Sequence, residues 1–557
     1  PGQATSTYPC QLSAASAQSL GFGNAATSCN PGNAAQSVFP LGLVVPGDKG
    51  IPPGLTQTYF KSFAPRIGLA WSPNATGGWV AKLTGGPGKT SIRTGFGLFY
   101  NPVEQLVLEQ FSAEPPFGGS SSLSSTLFNT PFELQNGTVA PNPFHGILNP
   151  TPGQAQDWSL FRPILLYGQF LPHLRSQYAE QYNLTLQRQI GTNNVLQVAY
   201  VGSQGHRLLI THDLNYSQAQ TCLDLNTVLG AGTCGPFGED SEFTVPAGAI
   251  PPGFTFHLPY GSVPTVTGPN ANPITLVGLR QYSSPFCQPT NPNPATNGCP
   301  PDGVPVFGSI FAQDTIGNSN YNSLQVSMER SFSKGLQFQA AYTWSKSFDY
   351  GSSFEDILNP LNFASSYALS QFDARQRFVL SYDWQLPVPK LAGAEGKIAD
   401  GWSFSGIITF QSGFPIRITD SADNELQNSI DFLSPGEPDL VAPFHRLNPR
   451  GPGHFAFDPS AFADPGPVGV IGTSPRTVCC GPGINNFDVA FLKNTSITEK
   501  ASLQFRAEFF NLFNHAQFVN PAPTGGVAGS DFNSGQFGTV VQARDPRLIQ
   551  FAMKLIF

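Results

Sequence analysis

The sequence predicts an all-β fold, a transmembrane antiparallel up-and-down β-barrel with long extracellular loops. Strand-like segments alternate apolar and polar residues, and the connections between them alternate between short and long. The final strand has an apolar face and ends on the aromatic residue Phe557. A membrane barrel needs these features, because its outer face meets lipid and its turns are short at one rim and long at the other.

The composition fits many aromatic-rich strands joined by irregular loops. Charged residues make up 11% of the 557 residues, and the chain contains 58 Gly, 52 Pro and 46 Phe. The net charge of −7 argues against a general nucleic-acid binder, which usually carries a basic patch. No apolar run approaches the ~18 residues of a membrane helix. If the chain crosses a membrane, it must therefore do so as a closed barrel.

Eleven segments have the pattern of strands. They lie at 59–71, 90–100, 178–190, 194–213, 319–332, 335–347, 374–386, 400–413, 485–497, 500–514 and 546–557. In the sixth, Leu336, Phe338, Ala340, Tyr342 and Trp344 share one face. The residues between them are more polar, which suits a strand with one face toward lipid and one toward a wet or plugged lumen.

The connections separate by length. Tight links follow the third, fifth and ninth segments, and the links 72–89 and 387–399 are somewhat longer. Long stretches lie between them, at 101–177, 214–318, 348–373, 414–484 and 515–545. With the C-terminus in the periplasm of a bacterial outer membrane, every long stretch lies outside the cell.

The strand count is odd, whereas bacterial single-chain barrels have even counts and the large plugged ones have about 22 strands. We therefore expect the eleven strands to be the C-terminal part of a barrel of about 22. Residues 1–58 are then an extracellular loop region, and residues 59–557 form the C-terminal barrel portion. Plug and N-terminal domains are expected outside this sequence.

All eight cysteines fall in predicted outer stretches: Cys10, Cys29, Cys222, Cys234, Cys287, Cys299, Cys479 and Cys480. Cysteines exposed after export are expected to form disulfides. The local pairs Cys222–Cys234 and Cys287–Cys299 are preferred, although four cysteines in one loop allow three connectivities. The adjacent Cys479 and Cys480 pair with each other or elsewhere. Metal binding is the rival interpretation, but no CxxC motif or nearby histidine set supports it.

Several stretches resemble the C-terminal barrel of TonB-dependent outer-membrane receptors, especially the Oar-like branch. They lie at 63–71, 93–100, 199–208, 342–347, 401–402 and 411–415. The most specific is Arg-Ala-Glu-Phe-Phe-Asn-Leu-Phe-Asn-His at 506–515, followed by Arg547 and the terminal Phe557. The order and spacing of these stretches carry the resemblance.

The resemblance implies a receptor that takes up a scarce solute with energy delivered through the TonB complex by a plug inside the barrel. Neither a plug nor a TonB-contacting segment is found in this sequence. Oligosaccharides, peptides and metal chelates all remain possible solutes. The alternative is a surface adhesin or structural outer-membrane protein, whose long loops bind partners without transport.

Two further groups of residues are predicted to have roles. Phe551, Met553, Leu555 and Phe557 form the C-terminal signal read by the barrel-assembly machinery. Gln504, Arg506 and Glu508 share the polar face of one strand and are expected to face the lumen. They either contact a plug or solute, or form an ion pair with a neighbouring strand. The eight histidines are scattered and no GxSxG motif is present, so we expect no enzyme, cofactor or metal site.

Overall fold

The computed structural model describes residues 58–102, 129–130, 162–171, 174–260, 263–285, 287–353, 356–388, 393–422, 425–427, 436–466, 468–522 and 529–557. Its main feature is one sheet in which eleven long strands lie side by side in chain order. Every neighbouring pair of long strands is antiparallel. The predicted up-and-down order is therefore confirmed.

The long strands are numbered in chain order. They are β1 (Arg66–Trp71), β2 (Thr90–Asn101), β3 (Gln177–Ile190), β4 (Asn194–Asp213), β5 (Phe307–Ser333), β6 (Leu336–Asp349), β7 (Gln376–Gln385), β8 (Trp402–Gln411), β9 (Ile484–Ser496), β10 (Ser502–Phe510) and β11 (Leu548–Ile556).

Each predicted segment contains one long strand, but two of the predicted starts were wrong. β1 begins at Arg66 rather than at 59, and β5 begins at Phe307 rather than at 319. The early part of β5 pairs with the end of β4 and with the parallel strand Ile164–Phe170, which the sequence did not predict. This part of β5 contains Gly308 and Gly317 and lacks clean alternation, so tertiary pairing decides its conformation.

Short elements fill the longer connections. The short strands are Ile164–Phe170, Glu242–Val245, Thr255–His257, Thr265–Thr267, Ile274–Val277, Ile357–Leu358, Ala368–Leu369, Ile416–Arg417, Asp439–Leu440, Phe462–Ala463 and Thr477–Val478. The α-helices are α1 (Gly78–Thr84), α2 (Ala219–Leu229) and α3 (Gly393–Ala399), and the 3-10 turns are Phe363–Ser366, Pro452–His454 and Pro459–Ala461. None of the helices in the described part of the chain is long and apolar enough to cross a membrane.

The strand register gives the sheet one apolar face. Leu184, Tyr200, Leu324 and Trp344 are successive cross-strand partners on β3 to β6. At the other end of the sheet, the row Trp384, Phe404, Phe491, Ala507 and Phe551 runs from β7 to β11. These rows lie on the same face, because Trp384 is the partner of Leu336, which shares a face with Trp344.

Many large side chains of this apolar face are exposed. Leu184 is 53% exposed, Trp344 55% and Phe551 66%. A soluble sandwich would bury such a face against a second sheet. Exposed apolar side chains that continue from strand to strand instead fit contact with lipid.

The apolar band has the height of a bilayer core. On β6 it runs from Leu336 to Trp344, nine residues that extend ~27 Å along the strand at ~3.4 Å per residue. Tilted by ~40°, such a stretch matches the ~25 Å apolar band of outer-membrane barrels in order of magnitude. Beyond Trp344 the same face carries Lys346, which is the cross-strand partner of Asn322. The band therefore ends at these polar residues.

The opposite face of the sheet is polar. Its cross-strand partners include Glu329, Gln339 and Ser381 on β5, β6 and β7. The tight turn after β5 sets the register between β5 and β6, and so determines which of their residues share each face. Lys334 and Gly335 have φ angles of 53° and 79°, as in a two-residue type I′ turn. A Cβ on Gly335 would lie 2.8 Å from the carbonyl oxygen of Gln385, so glycine is required there.

The sheet is open between β1 and β11. These strands are the two ends of the strand order, and no pairing joins them in the described residues. Lipid cannot satisfy the hydrogen-bonding groups of an exposed sheet edge. The count of about 22 strands stays a prediction.

Candidate ligand-binding surface

The long connections form a folded layer beyond one rim of the sheet, here called the outer layer. It comprises the described residues that connect β4 to β5, β6 to β7, β8 to β9 and β10 to β11. Strands β4 and β5 are 20 and 27 residues long, so they continue past the apolar band and support the outer layer. The predicted separation of short and long links by rim agrees with this arrangement, since each neighbouring pair of long strands is antiparallel.

Residues 214–306 form a unit of the outer layer with its own hydrophobic core, here called the loop module. Helix α2 packs over two small antiparallel strand pairs, Glu242–Val245 with Ile274–Val277 and Thr255–His257 with Thr265–Thr267. The core is fully buried at Leu225, Val245, Ile250, Phe256, Leu276 and Leu279. A core of this kind folds a long loop into a fixed shape, which a structureless loop of such length lacks.

Two disulfides stabilise the loop module. The structure pairs Cys222 with Cys234 and Cys287 with Cys299, which are the preferred local pairs from the sequence. Cys479 and Cys480 are bonded to each other in the β8–β9 connection. Cys10 and Cys29 lie outside the described residues. No group of three or more His, Cys, Asp or Glu side chains in the described ranges could hold a metal ion.

Arg280 attaches the loop module to the end of β4. Its side chain is 2% exposed, and its guanidinium lies 3.2 Å from the carboxylate of Asp213 at the last position of β4. The carboxylates of Glu239 and Asp240 lie 3.5 Å and 3.3 Å from the same guanidinium. A buried cation with three acidic partners is well compensated, and the loss of the cation would leave those charges in a poorly solvated place.

The β8–β9 and β10–β11 connections share a second core. Ile418, Phe457, Phe462, Phe537 and Val540 are buried together there. The Phe457 and Phe537 rings pack edge to face with centroids 5.2 Å apart. Because Phe457 and Phe537 come from different connections, this core joins them in one body.

A buried chain of alternating charges crosses the outer layer, here called the ion chain. It runs from Asp349 at the end of β6 through Arg476, Asp356 and Arg417 to Glu437. Arg476 donates to Asp356 at 3.0 Å, and Arg417 donates to Glu437 at 3.1 Å. All five side chains are at most 7% exposed. The chain therefore connects the β6–β7 and β8–β9 connections without access to bulk water.

Arg476 and Glu437 of the ion chain differ in environment. Arg476 also donates to the carbonyl oxygens of Asp349 and Ser366, so most of its donors are used. Burial raises the pKa of the Glu437 carboxyl to about 7, although Arg417 favours the ionised form. The pKa of Glu437 therefore lies near neutral pH.

A contrasting set of arginines lies on the exterior of the outer layer, here called the arginine surface. It comprises Arg446, Arg450, Arg544 and Arg547, all of them exposed. Three of them contact one short segment, 514–517. Arg450 donates to the carbonyl of Ala516 at 3.3 Å, Arg544 donates its backbone N–H to Gln517 at 2.8 Å, and Arg547 donates its backbone N–H to Asn514 at 3.0 Å.

No carboxylate within the described ranges lies at ion-pair distance from these four guanidinium groups. The guanidinium groups of Arg450 and Arg547 each donate to one backbone carbonyl, of Ala516 at 3.3 Å and of Leu512 at 3.5 Å, and their other N–H groups can bind an external ligand. Arginine binds carboxylates and phosphates through two parallel hydrogen bonds, so this part of the outer layer suits an anionic group.

Gln504, Arg506 and Glu508 lie together on the polar face of β10. Arg506 donates to Gln504 at 2.7 Å, and Gln504 donates to Asn494 on β9 at 2.9 Å. The nearest carboxylate to Arg506 is Glu508 on its own strand, at 4.0 Å, rather than one on a neighbouring strand. The side chain of Arg506 is 43% exposed, so it remains open to a partner on this face.

Phe551, Met553 and Leu555 lie on the apolar face of β11, opposite Ala507, Phe505 and Leu503. Phe557 follows in the same alternation and is 96% exposed. The geometry thus places the predicted C-terminal signal on the outward face of the last strand. Its recognition by the barrel-assembly machinery stays a prediction.

No sequence pattern marks the three arginines that are almost completely buried in the outer layer. Arg280, Arg417 and Arg476 are isolated in long irregular stretches, and no periodic pattern surrounds them. Their partners are far away in sequence, since Arg476 and Asp349 are separated by 127 positions. Within the sequence, no local feature distinguishes these arginines from the exposed ones.

A family model described as "Outer membrane beta barrel domain" matches residues 14–550. The chain belongs to this outer-membrane β-barrel family. Membership of this family agrees with the observed fold and apolar band, and it supports a location in the outer membrane. It is not a family of enzymes. A comparison with curated proteins gave no significant match.

Several solved structures of outer-membrane receptors and transporters are similar to this barrel chain. The transporter YddB from Escherichia coli shares 10% identity, with a TM-score of 0.34 over 84% of this chain and 38% of its own. The pyoverdine receptor FpvA from Pseudomonas aeruginosa PAO1 shares 9%, with a TM-score of 0.35 over 89% and 36%. The siderophore receptor PirA from Acinetobacter baumannii shares 8%, with a TM-score of 0.33 over 88% and 40%. The barrel chain therefore spans well under half the length of each of these proteins.

Proposed function

We propose that this barrel chain is part of an outer-membrane receptor and transporter that takes up a scarce solute. In this proposal a plug fills the polar interior and receives energy through TonB, as the sequence resemblance implies. The observation that carries the proposal is the folded outer layer. Buried ion pairs and two hydrophobic cores hold it in a fixed shape beside the sheet.

A preformed layer suits capture of a dilute solute, since little conformational entropy is lost when a ligand binds to a surface that is already ordered. The polar face of the sheet supports passage. Its side chains, including Glu329, Gln339 and Arg506, would interact with a plug or with a polar solute rather than with lipid.

The arginine surface favours a solute with carboxylate or phosphate groups. Acidic oligosaccharides, acidic peptides and metal chelates with carboxylate arms meet this requirement. An uncharged sugar would gain little from four arginines without acidic partners.

The experiment is solute accumulation by cells that carry the intact gene, a deletion of the gene, or the gene without TonB. The probes are labelled acidic oligosaccharides, acidic peptides and ferric carboxylate chelates. We expect accumulation of one probe class to be lost in both mutants. If surface attachment is lost on deletion while accumulation of every probe is unchanged, the adhesin alternative is correct.

A further inference from the structure

The short-turn rim of the sheet carries two helices that face the lipid side, here called the rim helices. They are α1, in the link between β1 and β2, and α3, in the link between β7 and β8. Each is seven residues long; α1 exposes two large apolar side chains and α3 exposes one. Trp79 and Leu83 of α1 are 76% and 64% exposed, and Ile398 of α3 is 72% exposed. Trp79 and Leu83 are four residues apart and therefore share one side of α1.

A cation from the apolar face of the sheet holds the C-terminal end of each rim helix. The guanidinium of Arg188 on β3 donates to the carbonyl oxygen of Leu83. The ammonium of Lys493 on β9 donates to the carbonyl oxygen of Lys397 at 2.8 Å and to that of Asp400. A helix C-terminus has unpaired carbonyl groups and a partial negative charge, which explains both contacts.

Both cations lie on the face that the membrane covers. Arg188 is the cross-strand partner of Leu196, which in turn faces Met328. Lys493 is the partner of Trp402 and of Phe505. The ammonium of Lys493 also lies 5.8 Å from the Trp402 ring. The rim helices are therefore attached to the lipid side of the sheet, where the apolar band ends.

We propose that the two rim helices lie in the headgroup region of the adjacent membrane leaflet and anchor the short-turn rim there. Trp79, Leu83 and Ile398 would enter the boundary between headgroups and acyl chains, while Lys82 and Lys397 remain at the level of the phosphates. Tryptophan and lysine are typical of this depth, because each combines an apolar part with a polar end. Continuity with the apolar band selects lipid as the occupant of this surface. The proposal rests on the membrane location of the barrel, and the leaflet is the periplasmic one in the predicted orientation.

The test is quenching of tryptophan fluorescence in the protein produced from the intact gene and reconstituted into phosphatidylcholine vesicles that contain brominated lipids. The contribution of Trp79 is the difference between the unaltered protein and Trp79→Phe. We expect bromine near the headgroups to quench this contribution at least twofold more than bromine near the bilayer centre. Quenching by aqueous iodide with no effect of either brominated lipid would overturn the proposal.

Internal controls separate this proposal from the membrane assignment. Trp344 and Trp384 lie on the apolar band, so Trp344→Phe and Trp384→Phe report whether the band itself meets lipid. If neither residue is quenched by brominated lipid, the membrane location fails, and the rim-helix proposal fails with it.

A second variant tests the attachment of α1. Arg188→Gln should release the helix and lower the headgroup-level quenching of Trp79 by half or more. Lys500→Gln is the matched control, because Lys500 lies in the turn between β9 and β10 and contacts neither rim helix in the described structure. Equal quenching in both variants would show that Arg188 does not hold α1.

Discussion

The guanidinium of Arg476 donates to the carboxylate of Asp356 at 3.0 Å, across 120 positions of sequence. Both side chains are at most 2% exposed. Through Asp349 the same arginine reaches the end of β6, and through Asp356 it meets Arg417 of the ion chain. This one side chain thus links a membrane-spanning strand to two outer connections.

Arg476→Met should destabilise the outer layer by about 3–5 kcal/mol, since Asp349 and Asp356 would stay buried without their cation. We expect faster proteolysis in the outer connections and unchanged β-sheet content. Limited proteolysis of the refolded protein, followed by mass spectrometry, measures this effect. Arg446→Met on the arginine surface is the control, and proteolysis at the same rate in both variants would contradict a structural role for the ion chain.

Glu437 should make the outer layer less stable as the pH rises. The folded-state pKa is about 7 and the ordinary value is 4.5, so the folded state holds the proton more tightly. Protonated Glu437 contributes its full share of the folding stability below pH 4.5, and this contribution is lost as the pH rises from 4.5 to 7. The loss is about 3 kcal/mol at most.

Calorimetric unfolding between pH 4.5 and 8 measures this pH dependence. Glu437→Gln keeps the shape of the side chain and removes the titration, so its stability should vary less with pH than that of the unaltered protein. If both proteins show the same slope, Glu437 is not the titrating group.

The Cys222–Cys234 disulfide should stabilise the loop module by about 3 kcal/mol, because it closes a loop with a sequence separation of 12 in the unfolded chain. The double variant Cys222→Ser with Cys234→Ser should therefore be cleaved faster by protease within residues 214–306. The double variant Cys479→Ser with Cys480→Ser is the control, since adjacent cysteines close no chain loop. A larger effect in the control would show that chain entropy is not the cause.

The two faces of the sheet should respond differently to a charge. Leu380→Arg places a guanidinium on the apolar face and should destabilise the barrel by about 2–4 kcal/mol near the bilayer midplane. Ser381→Arg is the adjacent position on the polar face and should have a much smaller effect. Folding yields in vesicles over a urea series compare the two variants, and equal losses would mean that the faces are assigned wrongly.

The terminal aromatic residue should matter for assembly in cells more than for stability. Phe557 continues the outward row of Phe551, Met553 and Leu555, and it has no cross-strand partner in the described sheet. Its deletion therefore shortens this row without removing a strand pairing. We expect less folded protein in outer-membrane fractions and an unchanged urea midpoint after refolding in vitro. Lys554→Ala, on the polar face of the same strand, is the control, and normal assembly of the deletion variant would argue against the C-terminal signal.

The sequence by itself determined the strand order, the two faces and the place of the long connections. Alternation has a period of two along a strand, so the apolar set Leu336 to Trp344 could be read without any neighbour. The tight link predicted at Ser333 and Lys334 lies one residue before the turn at Lys334 and Gly335 that the structure shows, so the sequence placed this strand end to within one residue. The local disulfides followed because their partners are close in sequence.

Only the tertiary structure decided which polar residues are buried and which are exposed. Arg476 and Arg446 both stand in irregular stretches, yet one is buried in the ion chain and the other lies on the arginine surface. The difference arises from partners contributed by distant connections, and no local pattern encodes such a meeting. The same is true of the rim helices, whose position depends on cations from β3 and β9 rather than on their own seven residues.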